Sequence, residues 1–298
     1  MKQKLLLYFG LLLTTAVWGG SFVVMKDSLE RQDVISFLAT RFLIAGLLMF
    51  AYRPYSLMGL GKTLWIRAIF LGFLLAAGFI FQSVGLTKTT VSSTGFITGL
   101  YLVFTPLISW LILKRHILRL QLLAVFVATI GLYLIAYNGV EFGFGELLVL
   151  ISAIIFAMQI VALGEWSDGK NAYPLTLIQI LVSALLFMII SFRNGYQVPP
   201  DSSVWTAILF TALFATFLGF LIQVKAQAVM TATAAGVVLA MEVPFAFIFG
   251  LYFDNDPLTL RIVSGGTLGL LPTMTIAIAV ITRVPPETIL NVNGSLSK

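Results

Sequence analysis

The sequence predicts an all-α membrane protein in which ten transmembrane helices form two inverted five-helix repeats, and three observations carry that expectation. First, 59% of the 298 residues are hydrophobic and only 10% are charged, against about 25% charged in soluble domains; the mean hydropathy is +1.03. Second, the apolar residues gather into ten runs, each close to the roughly 20 residues that cross a hydrocarbon core of about 30 Å. Third, sliding the chain against itself by 138 residues pairs Arg41 with Gln179, Pro106 with Pro244, Leu120 with Leu258, Gly131 with Gly269 and Trp18 with Phe156. A repeat of five spans, an odd number, must enter the membrane from the opposite side the second time, so the halves 5–138 and 143–283 are expected to be inverted.

In chain order the runs cover residues 5–25, 33–52, 65–87, 90–112, 118–137, 145–164, 172–192, 204–224, 229–251 and 259–281. The first follows Lys2 and Lys4 as a signal peptide would, but it exceeds an h-region in length and has no small-residue cleavage site, so it reads as a retained span. Connections such as KDSLERQ (Lys26–Gln32) and RNGYQVPPD (Arg193–Asp201) are short and polar. In the fourth and tenth runs Gly95 and Gly99, and Gly265 and Gly269, have the small-xxx-small spacing that lets helices approach closely. With both termini inside, twelve basic residues are cytoplasmic and five are external, with Arg41 within a span. This satisfies the positive-inside rule and makes 284–298 a cytoplasmic tail. The basic loop of Lys114, Arg115, His116 and Arg119 reads as one of its anchors.

Several function classes are disfavoured by what the chain lacks. There is no cysteine and one histidine, His116, hence no disulfide framework, thiol nucleophile or His/Cys metal cluster, and no metal or cofactor is expected. The net charge of +6 sits in short loops between apolar runs, which points to membrane topology rather than nucleic acid. A membrane enzyme would need an acid/base or metal constellation near one interface, and a channel would need charged rings or a carbonyl filter. The inverted repeat instead fits a secondary carrier whose site lies near midplane where the halves meet. With no P-loop in the chain, its drive is a gradient or a partner.

Glu242 lies about thirteen residues into the ninth run. An acid at that depth costs at least about 2.5 kcal/mol by insertion scales and normally faces a bundle interior or aqueous cavity. It can bind a substrate ammonium or a coupling proton, or balance a basic residue that fixes packing. Pro244 follows two residues later and frees a carbonyl near Ala240; with Pro106 it is a candidate helix break. Arg41 shares the depth of Glu242 and can bind a substrate carboxylate, pair with Glu242 or snorkel outward. Gln159, Gln179 and Ser92, with Ser93 and Thr94, can hydrogen-bond substrate or join helices. Trp18 can stack on an aromatic or cationic substrate, or simply pack.

Four stretches carry a resemblance: TTAVWGGSFVVMK, ATRFLIAGLL, TVSSTGFITGLYLVFTPLISWLIL and LAMEVPFAFIFG, in the first, second, fourth and ninth spans. Together, over residues 5 to 283, they resemble the EamA-type members of the drug/metabolite transporter superfamily. The resemblance implies a ten-helix carrier of the inner membrane, usually an exporter of amino acids, other small metabolites or drugs. A gradient-driven uptake carrier is the alternative, and the expected partners are a small-molecule substrate, the lipid bilayer and protons as coupling ion. Where the family often ends its fourth and ninth spans with an acidic GE pair, this chain has LKRH and YFDND.

Overall fold

The computed structural model describes residues 2–114, 143–230 and 232–254, with isolated positions at 123, 126, 127, 130, 260, 264, 267 and 268. Apart from those isolated positions, the fifth and tenth apolar runs lie outside the described residues. So do the basic residues Arg115, His116 and Arg119, the Gly265/Gly269 pair and the tail.

Among the described residues the regular structure is helical and no strand occurs. The helices are α1 (Lys2–Leu29), α2 (Val34–Tyr52), α3 (Lys62–Leu86), α4 (Val91–Gly99), α5 (Tyr101–Leu113), α6 (Phe144–Trp166) and α7 (Ala172–Asn194). They continue with α8 (Ser202–Phe210), a π-helical segment (Thr211–Leu218), α9 (Gly219–Gln227), α10 (Ala232–Leu239) and α11 (Glu242–Phe253). Among the described residues seven stretches are long and apolar enough to cross a membrane, counting α4 with α5, and α8 with the π segment and α9, as one each. Their outward faces carry exposed Phe9, Leu47, Phe73, Leu111 and Phe192, as a lipid-facing surface requires.

Local chemistry sets the helix ends. Asp33 caps α2 by accepting the Ser36 N–H at 2.8 Å, Thr90 caps α4 through the Ser93 N–H at 3.0 Å, and Asp201 caps α8 through the Val204 N–H at 3.0 Å. Each satisfies an N–H that has no partner within its own helix. Gly195, at φ +87°, ends α7 in the left-handed region.

The broad helix–helix interfaces join the first half to the second. Helix α3 packs on α6 and α7, α2 on α7, α1 on α9 and α11, α4 on α11, and α5 on α6 and α10. Small residues make the closest of these contacts possible. A Cβ built on Gly95 would lie 2.2 Å from the Ala246 Cβ, and one on Gly99 would lie 2.2 Å from the Val243 Cγ2. The Gly95/Gly99 spacing read from the sequence is thus the seat of α11 on α4.

The fourth and ninth spans are both interrupted, and the breaks precede the prolines. The first falls at Leu100 and the second at Ala240–Met241; Leu100 and Met241 have the same backbone angles, φ −64° and ψ −11°. Pro106 lies within α5, while Pro244 lies in the first turn of α11, where a missing N–H costs no intrahelical bond. The Ala240 carbonyl, expected from the sequence to be free for substrate, accepts the Val243 N–H at 3.1 Å.

At the end of α1 the halves are tied by polar groups. Lys26 pairs with Asp254 at 2.7 Å, and Arg31 pairs with Asp27 and Asp201 at 2.6 Å each. Hydrogen bonding and charge from Asp27, with Asp201 adding to it, hold the Arg31 guanidinium above its ordinary pKa. The Val204 N–H, then Arg31, hold Asp201 below its ordinary value. Gln32 and Asp33 bond to Gln197, and Thr89 to Glu146.

Candidate functional site

A cavity lies within the bundle where α1, α2, α3 and the α4–α5 junction meet α6, α9 and the α10–α11 junction; it holds about 510 Å³ of empty space, its open mouth included. Trp18, Ser21 and Met25 reach it from α1, Arg41 from α2, Phe79 and Gln82 from α3. The second half contributes Phe156 and Gln159 from α6, Phe220 and Gln223 from α9, and Glu242 from the start of α11. Thr98 and Tyr101 flank the first helix break, and Leu239 and Glu242 flank the second. The breaks therefore place both junctions on the cavity wall.

Four of the residues singled out from the sequence meet here: Glu242, Arg41, Gln159 and Trp18. Glu242 is 4% exposed and its carboxylate accepts the Tyr101 hydroxyl at 3.4 Å. Arg41 is 1% exposed, so it does not snorkel. Its Nε donates to the Thr216 Oγ1 at 2.7 Å and its Nη1 to the Met25 Sδ at 3.1 Å. The guanidinium also lies over the Phe79 ring at 5.0 Å and the Phe42 ring at 5.5 Å. The pairing of Arg41 with Glu242 considered from their common depth is not formed: among the described residues neither makes an ion pair within 4.0 Å. Each reaches the cavity from its own half and finds other partners.

Gln179 and Ser92 stand back from the cavity. Gln179, fully buried, accepts from the Gln159 Nε2 at 3.2 Å and so lies behind a lining residue. Ser92 is buried in α4. Sequence reasoning passed over Gln82, Gln223 and Tyr101. The Gln82 Nε2 donates to the Thr98 Oγ1 at 3.1 Å, and the buried Gln223 Oε1 has no partner among the described residues.

The lining residues recur at fixed intervals. Trp18 and Phe156, and Ser21 and Gln159, are 138 residues apart; Phe79 and Phe220, Gln82 and Gln223, and Tyr101 and Glu242 are 141 apart. The breaks at Leu100 and Met241 share the second interval, so Pro106 and Pro244, paired by the sequence at 138, do not occupy matching turns. Among the charged residues of the lining, Arg41 answers to Gln179 at an interval of 138 and Glu242 to Tyr101 at 141, so each charge is present in one half only.

A model of the EamA-like transporter family, which falls within the drug/metabolite transporter superfamily, matches the chain twice, over residues 5–137 and 143–278. An uncharacterized transporter of Archaeoglobus fulgidus is 30% identical over 258 residues, covering 86% of this chain and 81% of its own. The uncharacterized transporter YyaM of Bacillus subtilis is 24% identical over 234 residues, 74% of this chain and 76% of its own. A solved crystal structure at 17% identity shares the fold, with a TM-score of 0.67 over 95% of this chain and 97% of the other.

Proposed function

The chain belongs to the EamA-like transporter family and is a multi-pass membrane protein, and on that premise we propose that it is a gradient-driven carrier that exports amino acids or similar small zwitterions by alternating access around the cavity described above. The observation that carries this reading is a guanidinium and a carboxyl group, one from each half, that face a common space with no ion pair between them. A charge within the bilayer costs about 2.5–3.5 kcal/mol or more. Two such charges left apart are best accounted for by a ligand that brings the complementary pair.

In this reading Arg41 binds the substrate carboxylate, with its Nε and Nη1 already engaged and its remaining Nη2 without a protein partner among the described residues. Glu242 and the unpartnered Gln223 Oε1 accept from the ammonium group. The rings of Trp18, Phe79, Phe156 and Phe220 enclose the apolar body of the substrate. Glu242 also serves as the group that exchanges substrate for a coupling proton. The halves 5–138 and 143–283 form inverted repeats in the inner membrane with both termini cytoplasmic. The exchange of partners between them, α4 with α11 and α5 with α10, supports that arrangement, as does the double match to the family model.

The test is reconstitution of the full chain into liposomes with a panel of labelled amino acids, alongside Glu242→Gln. Among the described residues the Glu242 carboxylate has one hydrogen-bond donor, the Tyr101 hydroxyl, so the amide variant is expected to fold normally and to lose most transport. Transport of a panel member by Glu242→Gln at the wild-type rate, with the wild-type pH response, removes the acid from the mechanism.

A further inference from the structure

Helix α3 and the composite helix Ser202–Gln227 bury matching positions, and the match changes register once. Ala68, Leu71, Gly72, Leu75 and Ala76 are buried, as are Ile208, Thr211, Ala212, Ala215 and Thr216, each 140 residues later. Gly78, Phe79, Gln82, Ser83, Gly85 and Leu86 are buried too, as are Gly219, Phe220, Gln223, Val224, Ala226 and Gln227, but here the interval is 141. One extra residue therefore lies between Thr216 and Gly219. It falls inside the π-helical segment Thr211–Leu218, and α3 at the corresponding place is an ordinary α-helix. A π turn takes up an added residue without shifting the helix faces on either side of it, and such turns occur often at functional sites.

The segment lines none of the cavity itself, yet two neighbouring residues in it hold two lining side chains. The Ala215 carbonyl accepts the Trp18 Nε1–H at 2.8 Å, and the Thr216 Oγ1 accepts from the Arg41 Nε at 2.7 Å. Gly219, at the end of the segment, leaves room for the indole: a Cβ there would lie 2.8 Å from the Trp18 Nε1. The other half has the same contact without the polar groups. A Cβ on Gly78 would meet the Phe156 ring at 2.5 Å, Phe156 has no N–H to satisfy, Ala76 stands where Thr216 does, and Gln179 stands where Arg41 does. The added residue thus accompanies the two places where the first half sets a donor against this helix and the second half sets none.

We propose that the one-residue insertion in Thr211–Leu218 is a positioning device, with Thr216 and the Ala215 carbonyl fixing the directions in which Arg41 and Trp18 face the cavity. A buried guanidinium has many rotamers, and holding its Nε fixes the plane of the group and with it the direction of Nη2. An indole whose N–H is held from behind presents its ring face forward. The consequence for selectivity rests on the transport reading above; the positioning itself does not.

The experiment uses the full ¹⁵N-labelled chain in micelles, with the Trp18 indole and Arg41 Nε–H signals identified by their loss in Trp18→Phe and Arg41→Lys. Thr216→Val keeps the shape and removes the acceptor, so the Arg41 signal should move and its exchange with water should quicken about tenfold; Thr216→Ser should restore both. Deleting Phe217 should move both the Arg41 and Trp18 signals, and Gly219→Ala should move that of Trp18. If the deletion does not fold, the three point variants decide. Unchanged Arg41 and Trp18 signals in Thr216→Val and Gly219→Ala overturn the proposal. In liposomes, Thr216→Val should raise KM for a transported amino acid about tenfold at unchanged kcat. Signals that move as expected while no amino acid is carried by the wild-type chain leave the positioning intact and overturn the transport reading instead.

Discussion

Gly99→Ala tests whether the seat of α11 on α4 holds the second charge in place. The new Cβ would lie 2.2 Å from the Val243 Cγ2, where unstrained carbons sit about 3.5–4.0 Å apart. Val243 is β-branched and stiff at χ1, so the helix rather than the side chain has to move. Overpacking of this kind costs about 1–3 kcal/mol. Glu242 precedes Val243, so the same displacement pulls its carboxylate from the Tyr101 hydroxyl, already at 3.4 Å. Val243→Ala removes the offending methyl and alone costs about 1–2 kcal/mol in lost burial. In the double variant the alanine methyl occupies the vacated space, so the two changes should couple favourably by about 1 kcal/mol or more. Reversible unfolding in mixed micelles measures all three variants. Strict additivity, or a Gly99→Ala variant as stable as wild type, refutes the close seating of α11 on α4.

Two further predictions concern single groups. Arg41→Lys keeps the charge but cannot both donate an Nε–H to Thr216 and present a planar fork; substrate affinity should fall at least about tenfold with the melting temperature little changed, read by transport kinetics and thermal unfolding. Asp201, whose folded pKa is depressed by the Val204 N–H and Arg31, adds stability that is fully present above its ordinary value of 3.8 and is lost as pH falls through the lower folded value. Asp201→Asn should therefore flatten the acid limb of the stability–pH curve, and a curve of unchanged slope counts against the Arg31–Asp201 tie.

Much of this fold was legible because it is written in apolar runs. The described spans start and stop within a few residues of the runs read from the sequence, since hydrocarbon thickness and a few capping residues such as Asp33, Thr90 and Asp201 leave little freedom. The sequence sets Arg41 and Glu242 at a common depth, and both reach one cavity. The direction in which they face was not legible. These helices are apolar on nearly every face, so no stripe announces which side of α2 or α11 looks inward, and a shared depth suggested an ion pair that does not form. The prolines drew attention away from the breaks, which occur at unremarkable residues, Leu100 and Met241. A single offset of 138 recovered Trp18 with Phe156 but could not pair Gln82 with Gln223 or Tyr101 with Glu242. Between those helices the second half gains three residues, one of them in the π segment.

If the cavity between the halves is the substrate path, it should open to each side in turn. The chain contains no cysteine, so Ser21→Cys, on the cavity wall, gives a single reporter in an otherwise silent background. A membrane-impermeant maleimide, applied in separate experiments to the outer and inner faces of vesicles, should label it from both sides, and a transported amino acid should slow the labelling in proportion to its own saturation. Labelling from neither side, or labelling that no transported compound slows, would show that the cavity is not the substrate path.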